Sequence, residues 1–147
     1  MKRILLTASL VAAACGGSSG TGGGNDPRLA NFLGAPWNAS VTTTVPCLGQ
    51  SGTRSVSITF TTTTGADLQY TSPEGCAYKF NVSGTTATLS NGPVSCTVSV
   101  SGVAVAATWT TYTATTSDGH NLGITTAGSG SAFSQTCAFS ETGTATR

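Results

Sequence analysis

Cys76-Ala77-Tyr78-Lys79-Phe80-Asn81-Val82-Ser83-Gly84-Thr85-Thr86-Ala87-Thr88-Leu89 decides the fold of this chain. Cys76, Tyr78, Phe80 and Val82 occupy every second position, with small or polar residues between them. Ser83-Gly84 is a turn, and Ala87 and Leu89 resume the alternation. A period of two with one apolar side is the mark of an antiparallel strand, packed on one face and wet on the other.

The same pattern runs outward in both directions. Towards the N-terminus, Trp37, Ala39, Val41, Thr43, Val45 and Cys47 are the odd positions of one run. Val56, Ile58 and Phe60 alternate with Ser55, Ser57 and Thr59, and Leu68 and Tyr70 follow a Gly65-Ala66 turn. Towards the C-terminus, Asn91-Gly92-Pro93 is a strong turn signal. Cys96, Val98 and Val100 then give way to Val103, Val105, Ala107 and Trp109, a change of parity at Ser101-Gly102 that fits a β-bulge or a tight hairpin. Ser117-Asp118-Gly119-His120-Asn121 turns into Leu122 and Ile124, and Phe133, Cys137 and Phe139 carry the last strand towards Arg147. One short helix precedes them all: Asn25 or Asp26 as cap, Pro27 in the first turn, Gly34 at the end, with Leu29, Phe32 and Leu33 on one face.

Successive strands that reverse direction make a meander. Counted with the bulge, the chain is expected to form a small antiparallel up-and-down barrel of about eight strands behind a short N-terminal helix. The alternative all-β architecture is a sandwich. An immunoglobulin-like one lacks its Cys–Trp–Cys core spacing, since Trp109 follows Cys96 too closely.

Composition agrees and excludes. The 147 residues include 28 Thr and 18 Ser, nearly a third of the chain, and only 7% are charged. Threonine is β-branched and fits the outer face of a pleated sheet while its hydroxyl meets water. A net charge of +1 leaves no basic face for nucleic acid. One His and five acidic residues are little material for metal or acid–base chemistry.

The first residues read as an export leader. Lys2 and Arg3 precede the apolar run Ile4-Leu5-Leu6-Thr7-Ala8-Ser9-Leu10-Val11, which is too short to span a membrane, and Ala12-Ala13-Ala14-Cys15 follows. Here the chain resembles bacterial lipoproteins, whose lipobox sets small residues before a cysteine that is lipidated and becomes the first residue after cleavage. Ala12 stands where that family prefers Leu. The resemblance implies a signal peptide over residues 1–14, an acyl (palmitate-type) anchor on Cys15, and, with Gly16 rather than Asp next, sorting to the outer membrane. Residues 15–24 follow as lipidated cysteine and tether. Gly16-Gly17-Ser18-Ser19-Gly20-Thr21-Gly22-Gly23-Gly24 has no side chain able to pack and is a flexible coil. Losing Lys2 and Arg3 leaves four basic and five acidic residues, net −1, so anchoring falls to the lipid. Residues 25–147 are then a single exported β domain, expected as a monomer.

Cys47, Cys76, Cys96 and Cys137 remain. An even number in an exported domain points to two disulfides, with three connectivities open. The alternative of a zinc site lacks a Cys-x-x-Cys pair, and the only His is distant in sequence. Strand directions gather all four cysteines at one end and favour Cys47–Cys137 with Cys76–Cys96. The nearest competitor is Cys47–Cys76 with Cys96–Cys137.

Gly34-Ala35-Pro36-Trp37, after a short helix and opening strand one, resembles the lipocalin-like barrels at one residue wider than their usual Gly-x-Trp spacing. Parity puts Trp37 inward at the helix end, and Arg147, of the parity of Cys137 and Phe139, beside it. The resemblance implies the same contact, a basic residue near the chain end packed across the opening Trp.

The aromatic set is the remaining candidate for function. Trp37, Phe60, Tyr70, Tyr78, Phe80, Trp109, Phe133 and Phe139 fall mostly on inward positions. They either line a cavity for one small apolar ligand or fill an ordinary core. Asp118-Gly119-His120 is the sole acid–histidine proximity and reads as a hairpin turn. Asp67 and Glu74 adjoin turns and read as surface charges. Asn38-Ala39-Ser40 and Asn81-Val82-Ser83 match a glycosylation pattern without meaning in a bacterial lipoprotein. The function expected is therefore a non-catalytic, outer-membrane-anchored lipoprotein, with no enzyme activity, metal or cofactor, that contacts envelope or extracellular partners. The alternative is a lipocalin-like binder of a small hydrophobic ligand, which a cavity above about 300 Å³ would favour.

Overall fold

The computed structural model describes residues 26–147 except 101, 133 and 134. The expected leader, Cys15, the tether, Asn25 and Phe133 lie outside the described residues.

Helix α1 is short, Pro27–Ala30. Asp26 caps it by accepting from the Arg28 backbone N–H at 2.9 Å, and Pro27 takes the first position, where no N–H is needed. It stops before the expected Gly34. Phe32 and Leu33 still donate to the Leu29 carbonyl at 2.9 and 3.0 Å, and Gly34, at φ +117°, swings the chain into the first strand. Leu29 and Phe32 point into the core.

Ten strands follow: β1 (Trp37–Val45), β2 (Gln50–Ile58), β3 (Thr61–Thr63), β4 (Ala66–Thr71), β5 (Ala77–Ser83), β6 (Thr86–Leu89), β7 (Val94–Val100), β8 (Val103–Thr115), β9 (Asn121–Ala132) and β10 (Gln135–Thr146). A 3-10 turn, Pro46–Leu48, links β1 to β2 and ends at Gly49, φ +58°. The ladders are all antiparallel and run β2-β1-β10-β9-β8-β6-β5-β4-β3, with β7 also paired to β8.

The all-β antiparallel fold is as expected, and three finer expectations change. The ladder is not hydrogen-bonded into a closed barrel: it ends at β2 and β3, which are consecutive in the chain with only Thr59 and Phe60 between them. Phe60 turns inward there, 3% exposed, and the strand breaks. The parity change near Gly102 is a hairpin rather than a bulge, since Val100 pairs with Val103 and Gly102 takes φ +80°. These two breaks raise the count from about eight to ten.

The third change concerns Asn91-Gly92-Pro93, which bends the chain without reversing it. Both β6 and β7 are antiparallel to β8, lying end to end along it, with Thr86 opposite Thr115 and Val100 opposite Val103. The Asn91 side chain bridges the gap. It accepts from the Lys79 backbone N–H at 2.8 Å and donates to the Ala77 carbonyl at 3.1 Å, continuing the ladder towards β5.

The sheet curls around one buried face. Trp37, Phe80, Leu68, Ala87, Ala114 and Leu122 are at most 1% exposed. Alternation produces this directly: β5 reads exposed–buried–intermediate–buried–exposed–buried–exposed, and β1 buries Trp37, Ala39 and Val41. At about 25 cal/mol per Å², such apolar burial is the main stabilising term.

Candidate functional site

Both disulfides lie at the end of the sheet away from α1. Cys47, in the 3-10 turn after β1, bonds Cys137 of β10, with Cα atoms 5.9 Å apart. Cys76, just before β5, bonds Cys96 of β7, with Cα atoms 5.8 Å apart. This is the pairing the strand directions favoured. One detail differs: Cys96 sits in a strand that climbs towards that end, not at the start of a descending one. Since β7 is hydrogen-bonded only to β8, the second bond ties its other side to the β4–β5 connection.

Inside, the aromatic side chains form a continuous file from α1 to the disulfide end. Phe32 meets Phe60 edge-on at 5.9 Å, Phe60 meets Phe80 at 5.7 Å, and Phe80 meets Tyr112 at 5.1 Å. Tyr112 meets Tyr78 at 5.3 Å, Tyr78 meets Trp109 at 5.6 Å, and Trp109 meets Phe139 at 5.4 Å. Tyr70 stacks on Tyr78 at 5.8 Å and 13°. Six of the eight expected lining residues (Trp37, Phe60, Tyr70, Tyr78, Phe80 and Trp109) are buried and Phe139 is half-buried. They are brought together mainly to fill space. The cavity among them, at the disulfide end, measures about 40 Å³, far below the roughly 300 Å³ of an ordinary ligand pocket.

That cavity is bordered by a polar cluster. Glu141 of β10 is 7% exposed. Its Oε1 accepts from the Thr43 hydroxyl at 2.9 Å and from Arg54 Nη2 at 3.1 Å; its Oε2 accepts from the Thr126 hydroxyl at 3.0 Å and Trp109 Nε1 at 3.4 Å. Four donors satisfy the carboxylate and allow its burial. Arg54, about half exposed, also lies 3.9 Å from Glu74. Burial pushes the Tyr70 phenol up to about 12 and raises Tyr78 and Tyr112 further still, because the phenolate would lose its hydration.

Sequence reading missed Tyr112 and Glu141. The pairing of β8 with β9 slips between Trp109 and Thr111, so inward positions change from odd to even and Tyr112 is hidden from an odd-numbered pattern. Glu141 was detectable, since it shares the parity of Cys137 and Phe139.

The other candidates separate. His120 is exposed, and its backbone N–H, like that of Asn121, donates to Asp118 Oδ1 at 2.9 and 2.8 Å. These bonds, with one from the Asn121 side chain, hold the Asp118 carboxyl well below its usual range. Asp67 accepts from the Val82 backbone N–H at 2.7 Å and is 3.9 Å from Arg28, whereas Glu74 faces Arg54, so the two acids are not a pair. Asn38 and Asn81 are exposed on strands.

Outside, register aligns the threonines. Thr53, Thr42, Thr142, Thr125, Thr113 and Thr88 are successive cross-strand partners across β2, β1, β10, β9, β8 and β6. Thr42 and Thr53 share a hydrogen bond at 2.8 Å. A shallow groove of about 550 Å³, bordered by Thr42, Thr113, Thr125, Thr142, Thr144 and Gly143, runs over this row. It is larger than the aromatic hollow, but it is an open, hydroxyl-lined surface.

Among the described residues no three of His, Cys, Asp and Glu gather where a metal could bind, and no helix is long and apolar enough to cross a membrane. No family model, curated protein or solved structure matches the chain.

Proposed function

We propose that the chain is a non-catalytic lipoprotein of the bacterial outer membrane, anchored through a lipidated Cys15 and working through its outer, hydroxyl-lined surface as a monomer that contacts envelope or extracellular partners. The observation that carries this reading is the filled interior: the aromatic file leaves only about 40 Å³, too little to enclose a lipid-sized ligand, so recognition of large partners falls to the outside. There, a row of six aligned threonines, four of them bordering an open groove, offers methyls and hydroxyls together, without the charge that would select nucleic acid.

The finer fold belongs to the same proposal. With β2 and β3 taken as one strand bent at Phe60, and β6 and β7 as one strand bent at Asn91, the ladder is an eight-stranded lipocalin-like meander whose two ends are consecutive in the chain. Pairing of β1 with β10, and Arg147 packed over Trp37, support that likeness. The lipocalin-like function, a lipid-sized ligand in the interior, is disfavoured by the small cavity.

The test is fractionation with labelling. Cells given an alkynyl fatty acid should yield labelled protein in outer-membrane fractions, and Cys15→Ser should remove the label and release a folded, soluble domain. Wild-type protein that is unlabelled and soluble would refute the anchor.

A further inference from the structure

The disulfide end of the buried face carries polar atoms that core packing leaves unused. Tyr70, Tyr78 and Tyr112 are all the tyrosines of the chain, and they are 6%, 3% and 6% exposed. Their hydroxyls hydrogen-bond to no described residue. Yet no fully enclosed side-chain polar atom lacks a partner among the described residues, so each hydroxyl keeps some accessible surface. The open space these three residues share is the 40 Å³ cavity, bordered also by Trp109, Arg54, Glu74 and Glu141.

We propose that this cavity binds the ammonium head of a small alkylamine, with its tail leaving past Arg54 and Glu74. Charge selects the sign. Glu141 is neutralised by Arg54 at 3.1 Å, which leaves Glu74 as a surplus carboxylate 3.9 Å from the same guanidinium. An anionic head would face two carboxylates. An uncharged apolar head would offer nothing to the polar side chains that border the cavity. An ammonium has three N–H donors for oxygens that border the cavity, which is also walled by Tyr70, Tyr78 and Trp109, aromatic side chains of the kind that attract cations. Size agrees: 40 Å³ holds about three water-sized groups. The two rim side chains, Arg54 and Glu74, are 48% and 31% exposed, which leaves the tail a way out. The inference goes beyond the surface role proposed above and does not depend on it.

The test is titration of the full-length protein with n-hexylammonium, hexan-1-ol and hexanoate, followed through the indole N–H resonances of Trp109 and Trp37. Saturable movement of the Trp109 signal is expected with hexylammonium, roughly tenfold tighter than with hexanol. Hexanoate should give no saturation, and Trp37, at the far end, should not move. Glu74→Gln and Tyr70→Phe should each weaken hexylammonium roughly three- to tenfold without changing the melting temperature. No saturable shift with hexylammonium, equal affinity for hexanol or hexanoate, or unaltered affinity in both variants would overturn the proposal.

Discussion

The Arg147 guanidinium lies 4.2 Å from the centre of the Trp37 ring and closes the helix end of the fold with more than a cation–π contact. Its nitrogens donate to the carbonyls of Leu33 and Gly119 at 2.7 Å and of Asn31 at 3.0 Å. Trp37 in turn donates its indole N–H to the Phe32 carbonyl at 3.1 Å. One side chain therefore fastens the end of α1, the β8–β9 turn and the opening of β1. Arg147→Ala is expected to lower stability by about 2–3 kcal/mol, with Arg147→Lys recovering less than half, since lysine has no planar fork to span the carbonyls of three segments while lying flat on the indole. Urea unfolding measures this; a loss under about 0.5 kcal/mol would mean that the contact is incidental.

That relationship was legible in the sequence because it depends only on parity and on β1 and β10 being neighbours. The cysteine pairing was legible for a weaker reason. Treating residues 96–109 as one descending strand put Cys96 at the correct end, although β7 climbs to that end. The expected closed barrel is not what the ladder forms: it ends at β2 and β3, on either side of the inward-turned Phe60, and Asn91 stands in for backbone between β6 and β7. Asn91-Gly92-Pro93 has the letters of a reversal, but β8 is long enough for β6 and β7 to pair along it in succession. Of the polar cluster, Tyr112 was hidden by the slip after Trp109. Glu141 shares the parity of inward residues, but its donors, Thr43, Arg54, Trp109 and Thr126, come from four distant points in the chain, and only the fold brings them together.

The two disulfides should act on different parts of the sheet. Reducing Cys76–Cys96, a closure of 20 residues, is expected to cost about 3 kcal/mol, and Cys47–Cys137, a closure of 90, between about 4 and 5 kcal/mol. With Cys76→Ser and Cys96→Ser together, hydrogen exchange should quicken first in β7, whose remaining partner is β8. Uniform acceleration across all strands would contradict a local role.

Tyrosine ionisation should be late and tied to unfolding. All three phenols are raised by burial, Tyr70 to about 12 and the others beyond it. Folding therefore favours the protonated form. The resulting stability is fully present below the ordinary tyrosine value of about 10 and is lost as pH rises from there through the folded-state values. Spectrophotometric titration should show no phenolate in the folded protein near pH 10, then a steep rise that coincides with loss of near-ultraviolet dichroism. A simple midpoint near 10 in folded protein would contradict the burial.

Gly128 tests the packing of the aromatic file. A Cβ at that position would strike the Thr108 carbonyl and the Phe139 ring. Gly128→Ala should destabilise by about 1–3 kcal/mol and disturb the Trp109–Phe139 contact, seen as a change in tryptophan fluorescence. By contrast, Thr142→Ser in the outer row should change stability by no more than about 0.5 kcal/mol.

The anchored reading stands or falls with Cys15, and mass spectrometry of protein extracted from the cell envelope tests it most directly. The account predicts a mature N-terminal peptide that begins at Cys15 and carries a diacylglyceryl thioether, absent in Cys15→Ser. An unacylated N-terminus at any other residue, on protein recovered from the soluble fraction, would contradict it.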